Sequence, residues 1–217
     1  VKSYEVGIKA EFLDNELRLN AAAYVSDYTD LQLLIAEPSR VGPYITNAGE
    51  ATIEGFEIEV SYVTSNSVLI DLAVGFTDAG YDMLNDGAIA AGLTVDSPFG
   101  FISDWNTHLS VTKSVDFAGG LLTPRIDWTW RSGLYTNASG VPLPPPWSDA
   151  LYQPDYNVIN LSARWESGAS GLNITAGIEN AGDEEYAIFG DYQPNFGSDA
   201  EAYDRGRQWY LMLGYEF

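Results

Sequence analysis

Apolar and polar residues alternate one by one nine times along this chain, each time over roughly 7 to 11 residues. The connections between these stretches are short and long in strict turn. Tyr4, Val6, Ile8, Ala10 and Phe12 oppose Glu5, Gly7, Lys9 and Glu11, and Leu17, Leu19, Ala21, Ala23 and Val25 follow after the turn pair Asp14-Asn15. The next stretches carry Phe56, Ile58, Val60 and Tyr62, then Val68, Ile70, Leu72, Val74 and Phe76, then Thr107, Leu109 and Val111. Ile126, Trp128 and Trp130 come sixth; Ile159, Leu161, Ala163 and Trp165 seventh; Leu172, Ile174, Ala176 and Ile178 eighth. The ninth ends the chain with Trp209, Leu211, Leu213, Tyr215 and Phe217. Period two predicts strands, and no comparable 3.6-residue stripe competes with it.

Links one, three, five and seven are brief: Asp14-Asn15, Thr64 to Ser67, Val115 to Gly120 and Ser167 to Gly171. The other four are long and hold the Pro-rich and aromatic material, including PSRVGPY, VPLPPPW and FGDYQPNFGSDAEAYDRG. One end of the sheet is therefore trimmed and the other elaborated, as in outer-membrane barrels with tight periplasmic turns and extended outer loops. A water-soluble sandwich has alternating inner faces too, but no reason to gather its long loops at one end.

The faces agree. Glu57, Glu59, Arg125, Asp127, Arg131, Arg164 and Glu179 all fall opposite the apolar stripe; Lys113, at a short-turn end, is the exception on it. An Arg or Lys at mid-bilayer costs about 2–4 kcal/mol, so these charges belong in a wet lumen. Tyr4, Tyr62, Phe76, Trp165 and Trp209 lie near strand ends, where membrane aromatics gather. The expected fold is all-β: an antiparallel transmembrane β-barrel segment of nine strands.

Composition narrows the function. Thirty-one acidic against ten basic residues give a net charge of −21, which disfavours nucleic acid as a partner. Cysteine is absent, removing disulfides and thiolate metal sites. No signal peptide is visible after Val1. Nucleophile elbow, HExxH and phosphate-loop motifs are missing, and His108 is a lone histidine read as a lumen-facing strand residue, so no enzyme, metal site or cofactor is expected.

Four stretches, in order, carry a family likeness: ELRLNAAAYVSDYTDLQ, NAGEATIEGFEIEV, GLNITAGIENAGDEEY and RQWYLMLGYEF. Across essentially all of residues 1–217 the chain resembles the C-terminal part of TonB-dependent outer-membrane receptors. The resemblance implies a 22-stranded barrel of which these would be the final nine strands, with the plug domain and the TonB-contacting segment outside this chain. It also implies a bacterial outer-membrane location among lipid, and a terminal strand that the barrel-assembly machinery recognises through Trp209, Leu211, Leu213, Tyr215 and Phe217. Parity points the same way. If Phe217 ends in the periplasm, nine strands put Val1 outside, whereas single-chain barrels have even strand numbers.

The likeness implies TonB-linked uptake of a scarce small-molecule ligand such as a siderophore or other nutrient; a passive porin-like channel or structural wall is the alternative. Candidate ligand contacts are the long-link aromatics Tyr44, Tyr81, Trp147, Tyr152, Tyr192 and Phe196, with Arg125 and Arg131 in the lumen to guide an anion. Loop packing or headgroup contact is the other reading of those aromatics.

Overall fold

A computed structural model describes residues 1–35, 44–137, 151–193 and 198–217, without the side chains of 192, 193, 198 and 199. The elements in chain order are β1 (Lys2–Phe12), β2 (Leu17–Ile35), β3 (Tyr44–Val63), β4 (Val68–Leu84), α1 (Asp86–Ala90), β5 (Trp105–Lys113), β6 (Val115–Phe117) and β7 (Gly120–Arg131). They continue with β8 (Leu134–Tyr135), β9 (Tyr152–Gln153), β10 (Tyr156–Ser167), β11 (Leu172–Glu179), β12 (Ala187–Gln193), β13 (Ser198–Tyr203) and β14 (Gln208–Tyr215). The main sheet runs β1-β2-β3-β4-β5-β7-β10-β11-β14, every neighbour antiparallel, with β6 beside β7. These are the nine strands that the alternation predicts. The sheet is open, since β1 and β14 are its two edges.

β5 and β6 are one strand in register: Thr112 faces Arg125 and Val115 faces Leu122. The ladder lapses between them opposite Pro124, which has no N–H to donate. The Ser114 and Thr123 hydroxyls still meet there at 2.9 Å. The fifth link is thereby shorter than the sequence suggests. Val115–Phe117 belong to the strand, and only Ala118 and Gly119 turn, at φ 47° and 75°. Positive φ at both central residues is what a type I′ hairpin requires.

Register converts alternation into two faces. One apolar row crosses all nine strands without a break: Phe12, Leu17, Tyr62, Ile70, Val111, Ile126, Leu161, Ile178 and Trp209. One residue away, on the opposite face, runs Glu11, Arg18, Ser61, Asp71, Ser110, Asp127 and Asn160. Among the described residues nothing covers the apolar face. Ile126 and Leu161, flanked by strands on both sides, remain 42% and 37% exposed, and Leu211 and Leu213 on edge strand β14 reach 68% and 70%. A soluble protein would bury such a surface. Phe56, Phe76 and Trp105 pack ring against ring toward the long-loop end, with centroids 4.8–5.7 Å apart.

The buried apolar cluster lies beyond the sheet proper. β2 and β3 run on past their neighbours as a tall hairpin, and Ile35 and Ala48 from it enclose Ala88 of α1 and Leu93. Asn85 starts this one-turn helix by accepting the Ala88 N–H at 2.9 Å, while its amide donates to the Asn47 carbonyl. No periodicity in the sequence announces a five-residue helix.

Candidate functional site

The polar face is a hydrogen-bonded wall. Asp71 accepts from Ser61 at 2.7 Å and from Ser110 at 3.4 Å. Asp127 takes the Arg125 guanidinium at 2.6 Å and stands 3.5 Å from His108 Nε2, whose Nδ1 meets Thr129 Oγ1 at 3.1 Å. Asn20 donates to Glu59 at 3.1 Å. Charges on a β-strand interior are affordable only when paired or wet, and here most are paired with a cross-strand or next-but-one neighbour.

Toward the long-loop end this wall borders a cleft of ≈350 Å³. Asp127 of β7, Asn160 and Ser162 of β10, Glu179 of β11, and Gln208 and Tyr210 of β14 form its side. Tyr186, Asp204, Arg205 and Gly206, from the link between β11 and β14, form its rim.

Asn180 holds the rim in place. It is buried at φ 49°, and its side chain accepts the Glu184 N–H at 2.8 Å while donating to the Glu184 carbonyl at 2.8 Å and the Arg205 carbonyl at 3.4 Å. Its own N–H goes to Asn160 Oδ1 at 2.8 Å. Asp183 accepts the Arg207 N–H at 2.8 Å, closing the base of the link. Above it Tyr186 stacks on Tyr156, centroids 4.3 Å apart, and donates its hydroxyl to Asp204. Burial, then that hydrogen bond, raises the Tyr186 phenol well above its ordinary range; the same bond holds the Asp204 carboxyl below its own. Asn and Asp tolerate φ > 0 and bond their own backbone, so the run Asn180-Ala181-Gly182-Asp183 is the sequence signal for this device.

The predicted contacts distribute unevenly. Arg131 lies exposed at the end of β7, close enough to Tyr186 to act on its phenol electrostatically. Arg125 is spoken for by Asp127. Tyr81 is 7% exposed and stacks on Phe99 at 4.3 Å, and Tyr44 packs against the Ile35–Leu93 cluster, so both serve packing. Tyr152 is 42% exposed beside Tyr135. Trp147 and Phe196 lie outside the described residues, as does the side chain of Tyr192. Tyr186, Arg205 and Tyr210 join the site without having been anticipated.

Chemically the cleft offers carboxylates, amides, hydroxyls and guanidinium to a polar solute. Among the described residues no group of three or more His, Cys, Asp or Glu side chains is set to hold a metal ion.

An uncovered apolar face, a polar face lining the other side and trimmed turns at one end define a wall of a transmembrane β-barrel. Residues 1–181 match the family model described as TonB dependent receptor-like, beta-barrel, and the chain belongs to that family. Barrels of this kind are outer-membrane proteins of Gram-negative bacteria. The metal-pseudopaline receptor of Pseudomonas aeruginosa is 26% identical over 187 residues, 85% of this chain and 24% of that protein. The ferric yersiniabactin uptake receptor of Yersinia pestis superposes with a TM-score of 0.75 at 22% identity, over 96% of this chain and 28% of its own. The ferric preacinetobactin receptor of Acinetobacter baumannii gives 0.67 at 18%, over 99% and 29%. The chain thus spans about a quarter of these receptors. The family consists of receptors and transporters, which work with a plug domain, TonB and small-molecule ligands.

Proposed function

We propose that this chain is the C-terminal nine strands of a 22-stranded outer-membrane receptor that takes up a metal chelate or similarly scarce nutrient at the expense of energy delivered through TonB. The observation that carries the reading is the unbroken apolar row from Phe12 to Trp209 backed by the polar row from Glu11 to Asn160, in a chain of this family. The relatives named for chelated metals support the ligand class. In this reading Arg131 and Tyr152, both exposed at the long-loop end, meet the ligand on its way in, and the stripe ending in Tyr215 and Phe217 is the feature that the assembly machinery engages. The remaining strands and the plug come from elsewhere in the receptor and complete the two open edges, whose N–H and C=O groups would otherwise cost several kcal/mol each in lipid.

The test is accumulation of a radiolabelled ferric chelate in cells carrying the whole receptor, with and without a proton gradient. Uptake that collapses with the gradient is the expected result. Uptake indifferent to it would mean a passive pore.

A further inference from the structure

The cleft carries two unlike charges that do not pair. Glu179 and Arg205 both line it, yet no ion pair within 4.0 Å joins them, and neither side chain makes another ion pair that close among the described residues. Their backbones are tied together. Asn180, next to Glu179, donates to the Arg205 carbonyl, so the hub fixes the two backbone positions relative to one another. The neighbouring carboxylates are already hydrogen-bonded: Asp204 accepts the Tyr186 hydroxyl and the Arg205 backbone N–H while feeling the Arg205 charge only at longer range, and Asp127 holds Arg125. Opposite charges lining one concave surface without pairing match a solute that carries both signs.

We propose that the cleft receives the amino-carboxylate end of the transported ligand: Arg205 takes its carboxylate, Glu179 its ammonium, and Ser162, Gln208 and Tyr210 supply neutral hydrogen bonds. The guanidinium fork suits a carboxylate geometrically, and Glu179 sits at the end of β11, a strand that needs no loop ordering to present it. The inference rests on the uptake reading above and narrows it to zwitterionic chelates.

The experiment uses one ferric trihydroxamate core bearing a pendant ammonium, a pendant carboxylate, an amino-carboxylate or no charge, titrated into the whole receptor and into its Glu179→Gln and Arg205→Gln variants. The amino-carboxylate probe should bind tightest to the unaltered receptor. Glu179→Gln should weaken only the two ammonium-bearing probes, and Arg205→Gln only the two carboxylate-bearing ones, each by about fivefold, as befits exposed charges. Both substitutions keep size and hydrogen bonding, and unchanged affinity for the uncharged core certifies the fold. Equal affinity for all four probes, or variants that weaken all four alike, would overturn the proposal while leaving gradient-driven uptake of the core to report on the transport reading separately. Failure of every probe to bind would overturn the proposal, while the gradient-dependent uptake assay continues to test the transport reading on its own.

Discussion

Gly177 illustrates how much a single position in such a wall depends on its cross-strand partner. It faces Tyr210, and a Cβ built on it would come within 2.3 Å of the tyrosine ring. Gly55 repeats the arrangement with Tyr24, whose hydroxyl lies 2.8 Å from the imagined Cβ and 3.0 Å from Thr77 Oγ1. Both glycines interrupt the polar face, and in each case an aromatic ring closes over the gap, returning the packing that the missing side chain forgoes. Gly75 has nothing within 4 Å of the same construction. Gly177→Val should therefore cost about 1–3 kcal/mol by expelling Tyr210, whereas Gly75→Ala should be close to neutral. The check is the temperature at which the folded receptor, run unheated on a detergent gel, converts to its unfolded mobility. In the sequence these glycines read only as breaks in a pattern. Their partners lie some thirty residues away, on strands whose register the local pattern does not contain.

Elements divide by how local their causes are. All nine spanning strands were legible, because period two is written into each one and a one-residue slip would turn its apolar set toward the lumen. The ends were not. β2 and β3 continue well beyond the alternation because they pair with each other and enclose Ile35, Ala48, Ala88 and Leu93, a cluster assembled from three segments. β6 hid because Pro124, on the neighbouring strand, interrupts the ladder rather than the strand itself. The link between β11 and β14 is the element on which the cleft depends, and Asn180 is a buried polar hub of it. Asn180→Ala removes an acceptor for the Glu184 N–H and donors to two carbonyls, and places alanine at φ 49°. A loss of about 1–3 kcal/mol is expected locally. Amide hydrogen exchange should quicken over residues 181–207 while the amides of β10 pairing with β7 keep their protection. Equal protection in both proteins would show that the rim is held by something other than Asn180.

At the scale of the whole molecule, the fold is a division of surface between two solvents. The apolar row and the polar row differ by one residue in every strand they share, so Ile126 and Asp127, or Leu161 and Asn160, stand on opposite sides of a single backbone. The candidate site was only half readable for the same reason that the spanning strands were readable. Alternation assigns Arg125, Asp127, Arg131 and Glu179 to the lumen, but it does not say that Arg125 spends its charge on Asp127, or that Tyr186 and Arg205 fold back over the wall. Those facts depend on side chains brought together across links. The most direct measurement exploits the absence of cysteine from this chain. Single cysteines at 126, 127, 160 and 161, spin-labelled in the whole receptor in lipid bilayers, report collision with dissolved oxygen, which concentrates in acyl chains, and with a water-soluble nickel chelate. Labels at 126 and 161 should favour oxygen and those at 127 and 160 should favour nickel or be shielded by the plug. Oxygen contact at 127 and 160 with 126 and 161 shielded from it would contradict the account.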